Sequence, residues 1–264
     1  MSLGIVIKGP EGMVLAADTR ITLTAQQQGS YPLNVNFDNT TKFLTFDNPH
    51  NCVAAVTYGD AVIGNRTAHS FVPELELELK DGRDTVRNYA KRISNFFQAR
   101  WKEAGMPEEP PSGGMTFIVG GYDEDAPYGE VFLFAVPTNP APEPRNAEGF
   151  GMTWGGQLQI ANRIIHGYDP ALLPILGSQL GLDDSQIEDV QKGLASLEYT
   201  IPYDILALQD CVDLATFLIR TTITAQNLAI GLRGVGGTIE VASITRTGGL
   251  NWVQKKEIRG EVHS

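Results

Sequence analysis

Residues 3–8, LGIVIK, and 13–18, MVLAAD, are short apolar runs on either side of the turn GPEG. Runs so closely linked predict a β-hairpin with both strands largely buried. The polar stretch AQQQGSYPLNVNFDN at 25–39 reads as a loop. A second hairpin is expected from KFLTF at 42–46 and CVAAVT at 52–57, which flank the turn-rich DNPHN.

After Asp60 the period changes. Val86, Tyr89, Ala90, Ile93, Phe96, Phe97 and Trp101 recur at helical spacing and predict a helix over 83–104. The ELELEL run at 74–79 alternates as a strand would, but Glu and Leu favour helix, and it is read as helix. Strands return at 115–120 (MTFIVG) and 130–136 (EVFLFAV), followed by a Pro-rich loop at 137–149. From 157 to 225 the pattern is helical, with breaks near Pro174, Gly181 and Pro202. The last helix starts near Asp204 as N-cap and contains CVDLATFLIRTTITAQ, apolar on most sides and therefore expected to be central. Closing strands are predicted at 238–245 and 250–256.

Hairpins separated by helix pairs predict an α+β fold, two antiparallel sheets with helices on their outer faces. The alternation of a doubly wound parallel sheet is absent from this pattern. No internal repeat and no composition break divides the chain, so residues 1–264 are read as a single domain.

The 264 residues carry a net charge of −11, which disfavours nucleic acid and anionic membrane as partners. Cys52 and Cys211 are far apart in sequence, and His50, His69, His166 and His263 form no HExxH-type pair. No metal and no cofactor is expected from that usage. The N-terminal residues lack the basic and apolar regions of a signal peptide, and no apolar run has membrane-spanning length, so a cytoplasmic protein is expected.

Phosphate-loop, nucleotide-binding and GxSxG motifs are absent from the sequence. The unusual feature is Ser2. If Met1 is removed, Ser2 offers a hydroxyl nucleophile and an α-amine that titrates near pH ~7.7–8.0, so one residue supplies nucleophile and base. Taken alone, a Met-Ser start is commonplace, Asp18 and Arg20 read as turn and ion-pair residues, Lys42 as a solvated charge and Gly59 as a turn glycine.

Together they form a pattern. GMVLAADTR, then TTKFLTF, then AAVTYGDA resemble the β-type subunits of the proteasome family, including its bacterial ancestral-β-subunit relatives. In that family an N-terminal Thr precedes the Asp of an AAD-x-R motif by 16 positions, and Asp18 lies 16 positions after Ser2 here. The resemblance places Ser2 on the nucleophile, Asp18 and Arg20 on the motif's Asp and Arg, Lys42 on the lysine opening the third strand, and Gly59 on the oxyanion-hole glycine. It runs on through the element order to GGTIEVASIT, with a longer loop near 24–41 and a longer helical region near 160–204.

The resemblance implies a four-layer αββα N-terminal-nucleophile hydrolase, a threonine-type endopeptidase acting inside a homo-oligomeric ring or helical assembly. Its substrates would be peptides or unfolded proteins, and an ATP-dependent unfoldase is a further partner it allows. Ser2 would attack the peptide carbonyl, Lys42 would stay cationic beside Asp18, and Asp18 would orient it. The Gly59 N–H would hold the oxyanion, and Asn227 is the nearest residue to the family's late amine-supporting Asp. Three departures stand out: Ser replaces Thr, no Asp occurs in TAQNLAIGLRGVGG, and Trp154, Gly155 and Gly156 occupy a region where the family has a supporting Ser. An inactive scaffold subunit, a small-amide amidase or acyl transferase of the same fold, and a plain binding module are the alternative readings.

Overall fold

Among the described residues, twelve strands and six α-helices follow one another. In the first half they are β1 (Leu3–Lys8), β2 (Met13–Asp18), β3 (Ile21–Ala25), β4 (Leu33–Phe37), β5 (Phe43–Thr45), β6 (Val53–Gly59), α1 (Val72–Glu76), α2 (Val86–Glu103), β7 (Met115–Gly121) and β8 (Glu130–Val136). The second half holds β9 (Asn139–Arg145), β10 (Gly151–Gly156), α3 (Gln159–Ile165), α4 (Leu172–Leu180), α5 (Asp184–Leu194), α6 (Leu208–Leu228), β11 (Ile239–Thr245) and β12 (Gly249–Gln254). The computed structural model describes residues 2–25, 33–79, 82–231 and 233–260.

The strands form two five-stranded sheets, ordered β10-β1-β2-β11-β12 and β5-β6-β7-β8-β9, with β3-β4 as a separate hairpin. All described pairings are antiparallel. Three apolar clusters bind the parts together. Val6, Met13 and Leu15 of the first sheet meet Phe43, Val56 and Ile118 of the second. On the other face of the second sheet, Phe97 of α2 packs on Phe117, which stacks on Phe134 at 5.0 Å. On the other face of the first sheet, Ile5, Val14 and Val241 meet Ala215, Leu218 and Ile219 of α6. Each large side chain so buried contributes roughly 1.5–3 kcal/mol.

The helix expected over 83–104 forms as α2, and the residues it buries include the seven apolar positions that predicted it. Thr85 caps it by accepting from the Asn88 N–H at 3.2 Å.

Several expectations need correction. The 25–39 stretch is not loop throughout: Leu33–Phe37 pairs with Ile21–Ala25, the Thr and Asn side chains joining across the strands at 2.8 Å. Residues 26–32 lie outside the described residues. The Pro-rich 137–149 stretch holds β9, which closes the second sheet as an edge strand, where prolines need no ladder partner. Pro174 lies inside α4 rather than breaking it, being in its first turn, where the missing N–H costs nothing. The ELELEL run is helical only to Glu76. The last helix begins at Leu208, and it is a one-sided cover on the first sheet rather than a central helix, with Phe217 half exposed.

Candidate active site

The hairpin register explains the 16-residue spacing. Gly4 lies opposite Ala17, so the next position brings Leu3 opposite Asp18 and Ser2 opposite Thr19. Asp18 is fully buried, and its carboxylate gathers four donors from four places. Oδ1 accepts from the Leu3 N–H at 3.0 Å and from Lys42 Nζ at 2.7 Å. Oδ2 accepts from the Arg20 N–H at 3.2 Å and the Gly236 N–H at 3.0 Å. Such a set fixes the orientation of the buried carboxylate. The amide just after Ser2 and the ammonium of Lys42 therefore share one oxygen.

Lys42 stands immediately before β5 in the second sheet, so its 2.7 Å ion pair with Asp18 crosses from sheet to sheet. Ser2 and Lys42 are each 4% exposed and line one small recess of about 10 Å³, together with Thr57, Tyr58 and Asp60. That volume admits about one water. Burial pulls the Lys42 ammonium below the ordinary lysine value, while the charge and hydrogen bond of Asp18 act in the opposite sense. Met1 lies outside the described residues.

The ladder dictates where the Gly59 amide faces. Asp60 N–H donates to Gly114 O at 3.0 Å, on the β7 side, and Thr57 N–H donates to Lys42 O at 2.9 Å, on the β5 side. N–H directions alternate along a strand, so the Gly59 N–H turns to the β5 side at a level before β5 begins. With φ at +91°, and with Gly114 O only 2.3 Å from where a Cβ would stand, this position requires glycine.

Gly59 also lines a larger cavity of about 850 Å³, bounded by β3, β4, the start of β7 and the loop after β10. Tyr58, Asp60 and Ala61 line both hollows, so the cavity and the Ser2 recess share a wall.

A solved structure of a mutant of Anbu from Hyphomicrobium sp. strain MC1 matches with a TM-score of 0.60 and 14% identity, covering 97% of this chain and 86% of that one. The chain has the proteasome-like fold of Anbu. No family model and no curated protein matches the chain.

Within this Anbu-like frame, Asp18 bonds both Lys42 and the amide after Ser2, Ser2 and Lys42 share the recess, and Gly59 lines the adjoining cavity. Arg20 acts at one remove. Its guanidinium grips Asp38 through two bonds of 2.5 and 2.7 Å and donates to Arg233 O at 3.2 Å, tying two loops beside Asp18. The side-chain bond to Asp38 is the main reason its pKa is raised, and the reciprocal bond lowers that of Asp38. Asn227 is not brought in. It is exposed near the end of α6 and lines neither hollow.

Its neighbour Gln226 holds the connection that Asn227 lacks. Gln226 Oε1 accepts from the Val235 N–H at 2.9 Å, and its amide nitrogen donates to Gln157. It thereby braces the loop whose Gly236 reaches Asp18. Thr19 helps on the other side, donating to Asp38 O at 2.5 Å and accepting from the Thr238 N–H at 2.8 Å. Neither residue carries a motif; only its position beside the Asp18 and Asn227 candidates could have drawn attention.

The glycines at 155 and 156 now have a reason. A Cβ on Gly155 would stand 2.0 Å from Tyr58 Cζ, and one on Gly156, at φ +107°, would stand 1.9 Å from Ser2 O. Ser2 O accepts from the Gln157 N–H at 2.7 Å, so the strand end closes tightly over the first described residue. Side chains there would displace the wall of the site.

Proposed function

We propose that this chain is a proteasome-like peptide hydrolase of the N-terminal-nucleophile type, with Ser2 as nucleophile once Met1 is removed. The observation that carries the reading is the single Asp18 oxygen shared by Lys42 Nζ and the Leu3 amide. It holds the first peptide unit after Ser2 and the buried cation in one fixed relation, as a third group fixes a nucleophile and its base.

In this reading Ser2 Oγ attacks a peptide carbonyl and its proton passes to the α-amine of the same residue. Lys42 stabilises negative charge developing at Ser2, and the Gly59 N–H receives the oxyanion, a donor effect worth roughly 3–4 kcal/mol. The leaving amine takes up the proton, and water then hydrolyses the acyl-enzyme. The three apolar clusters, one between the sheets and one under each outer helix face, support a four-layer αββα frame. Assembly into a homo-oligomeric ring or helix enclosing the sites belongs to the same proposal, as do unfolded-protein substrates.

The test is covalent labelling by a peptide epoxyketone or β-lactone, read by intact mass. The mature chain should lack Met1 and gain one adduct, and Ser2→Ala should gain none. Labelling that persists in Ser2→Ala, or full retention of Met1 in the natively expressed chain, overturns the proposal.

A further inference from the structure

The carboxylates around the larger cavity are not equivalent. Asp169 is satisfied: Arg163 Nη2 donates to its Oδ2 at 2.8 Å and the Ala171 N–H to its Oδ1 at 3.0 Å. Asp60 has only a neutral donor, Ser112 Oγ, on its Oδ2 at 2.7 Å, and it takes part in no ion pair with another described residue. Among the described residues that line the cavity there is no lysine or arginine. Among the described side chains of the recess beside it the one cation, Lys42, is already committed to Asp18. The side-chain charge left without an ionic partner among these lining residues is therefore that of Asp60.

Its place in the chain gives that charge a use. Asp60 follows Gly59, whose amide turns to the β5 side, and Asp60 forms part of the wall common to both hollows. The recess with Ser2 holds no more than about one water, so the side chain of a bound peptide has to lie in the larger cavity. A residue whose carbonyl sits at the Gly59 N–H then projects past Asp60. Thr22, Thr24, Asn34 and Thr116 add neutral hydrogen-bonding groups around the same space, which suit a hydrated polar head better than an aliphatic one. The chain's net charge of −11 favours approach of cations over anions.

We propose that this cavity selects peptides with lysine or arginine at the residue whose carbonyl is attacked, with Asp60 as the specificity-determining group. The inference rests on the peptide-hydrolase reading above and adds a substrate class to it. A charge-assisted hydrogen bond to Asp60 should favour such peptides by about tenfold over an uncharged analogue.

The experiment uses the full mature chain and three fluorogenic peptides that differ only in arginine, leucine or glutamate before the scissile bond. Initial rates are compared at low and at high salt, with a neutral β-lactone as a separate probe of Ser2. Expected is an arginine-to-leucine ratio in kcat/KM of about ten that shrinks as salt rises, with glutamate slowest. Asp60→Asn should bring the ratio toward one. Asp60→Lys should place glutamate ahead of arginine, a reversal that loss of folding cannot imitate. Equal rates for arginine and leucine, a glutamate preference in the wild type, or an unchanged ratio in Asp60→Asn overturns the charge selection. If the lactone labels Ser2 while none of the peptides is cleaved, the selection falls and the nucleophile stands. If the lactone also fails, both fall together.

Discussion

At the scale of single residues, what governs this site is how little room its groups have. Gly155 lies under the Tyr58 ring, and adding one methyl there puts carbon 2.0 Å from Tyr58 Cζ. Gly155→Ala should therefore destabilise the fold by about 1–3 kcal/mol in urea unfolding. Adding Tyr58→Ala should restore part of that loss, so the double variant costs less than the sum of the singles. Lys42 gives a prediction in pH. Because burial lowers its pKa from 10.5, deprotonation begins below the pH at which a solvated lysine loses its charge. Between the lowered folded value and the unfolded value the unfolded chain binds more protons, so this group makes stability rise with pH across that window. Lys42→Arg, which stays cationic, should remove that rise in urea midpoints measured up to about pH 10.

Elements decide which of these groups meet. The β1-β2 register converts the spacing of Ser2 and Asp18 into proximity, whereas Lys42 and Gly59, at the second sheet, were singled out through the family resemblance and by no spacing of their own. Gln226 and Gly236 act from the far end of the chain through a loop without periodicity, so no local pattern announces them. The same holds for whole strands. β9 reads as loop because its prolines mask a pairing that only an edge position allows, and β10 is short and glycine-rich because Tyr58 and Ser2 press on it. α2 was legible because one face of it is buried along its length, and β1 and β2 because both faces are, which leaves them as short apolar runs around a turn.

The segment after β12 makes its own contribution at this scale. Lys256 donates to Thr41 Oγ1, next to Lys42, and pairs at 3.2 Å with Glu240, which is 1% exposed and has a second carboxylate oxygen without a hydrogen-bond partner. Lys256→Met should cost about 3–5 kcal/mol, because it strands a buried charge. Glu240→Gln together with Lys256→Met should recover part of it, again by urea unfolding.

For the whole molecule, the prediction concerns association. Leu33 and Phe37 on the β3-β4 hairpin and Ile175 and Leu180 on α4 are large apolar side chains left exposed, as at a subunit interface. Native mass spectrometry should therefore detect an oligomer; a monomer at micromolar concentration would remove the enclosed-site element of the proposal. No described helix is long and apolar enough to cross a membrane. The burial of Ser2 also sets a chronology. Its carbonyl is a rung bonded to Gln157, and only 4% of the residue is accessible. In the proposed maturation, an aminopeptidase would have to reach the bond before it while this edge of the sheet is still open, which places that step on the nascent chain. Once β1 and β10 have closed, the folded protein should resist removal of Met1 that the denatured chain permits.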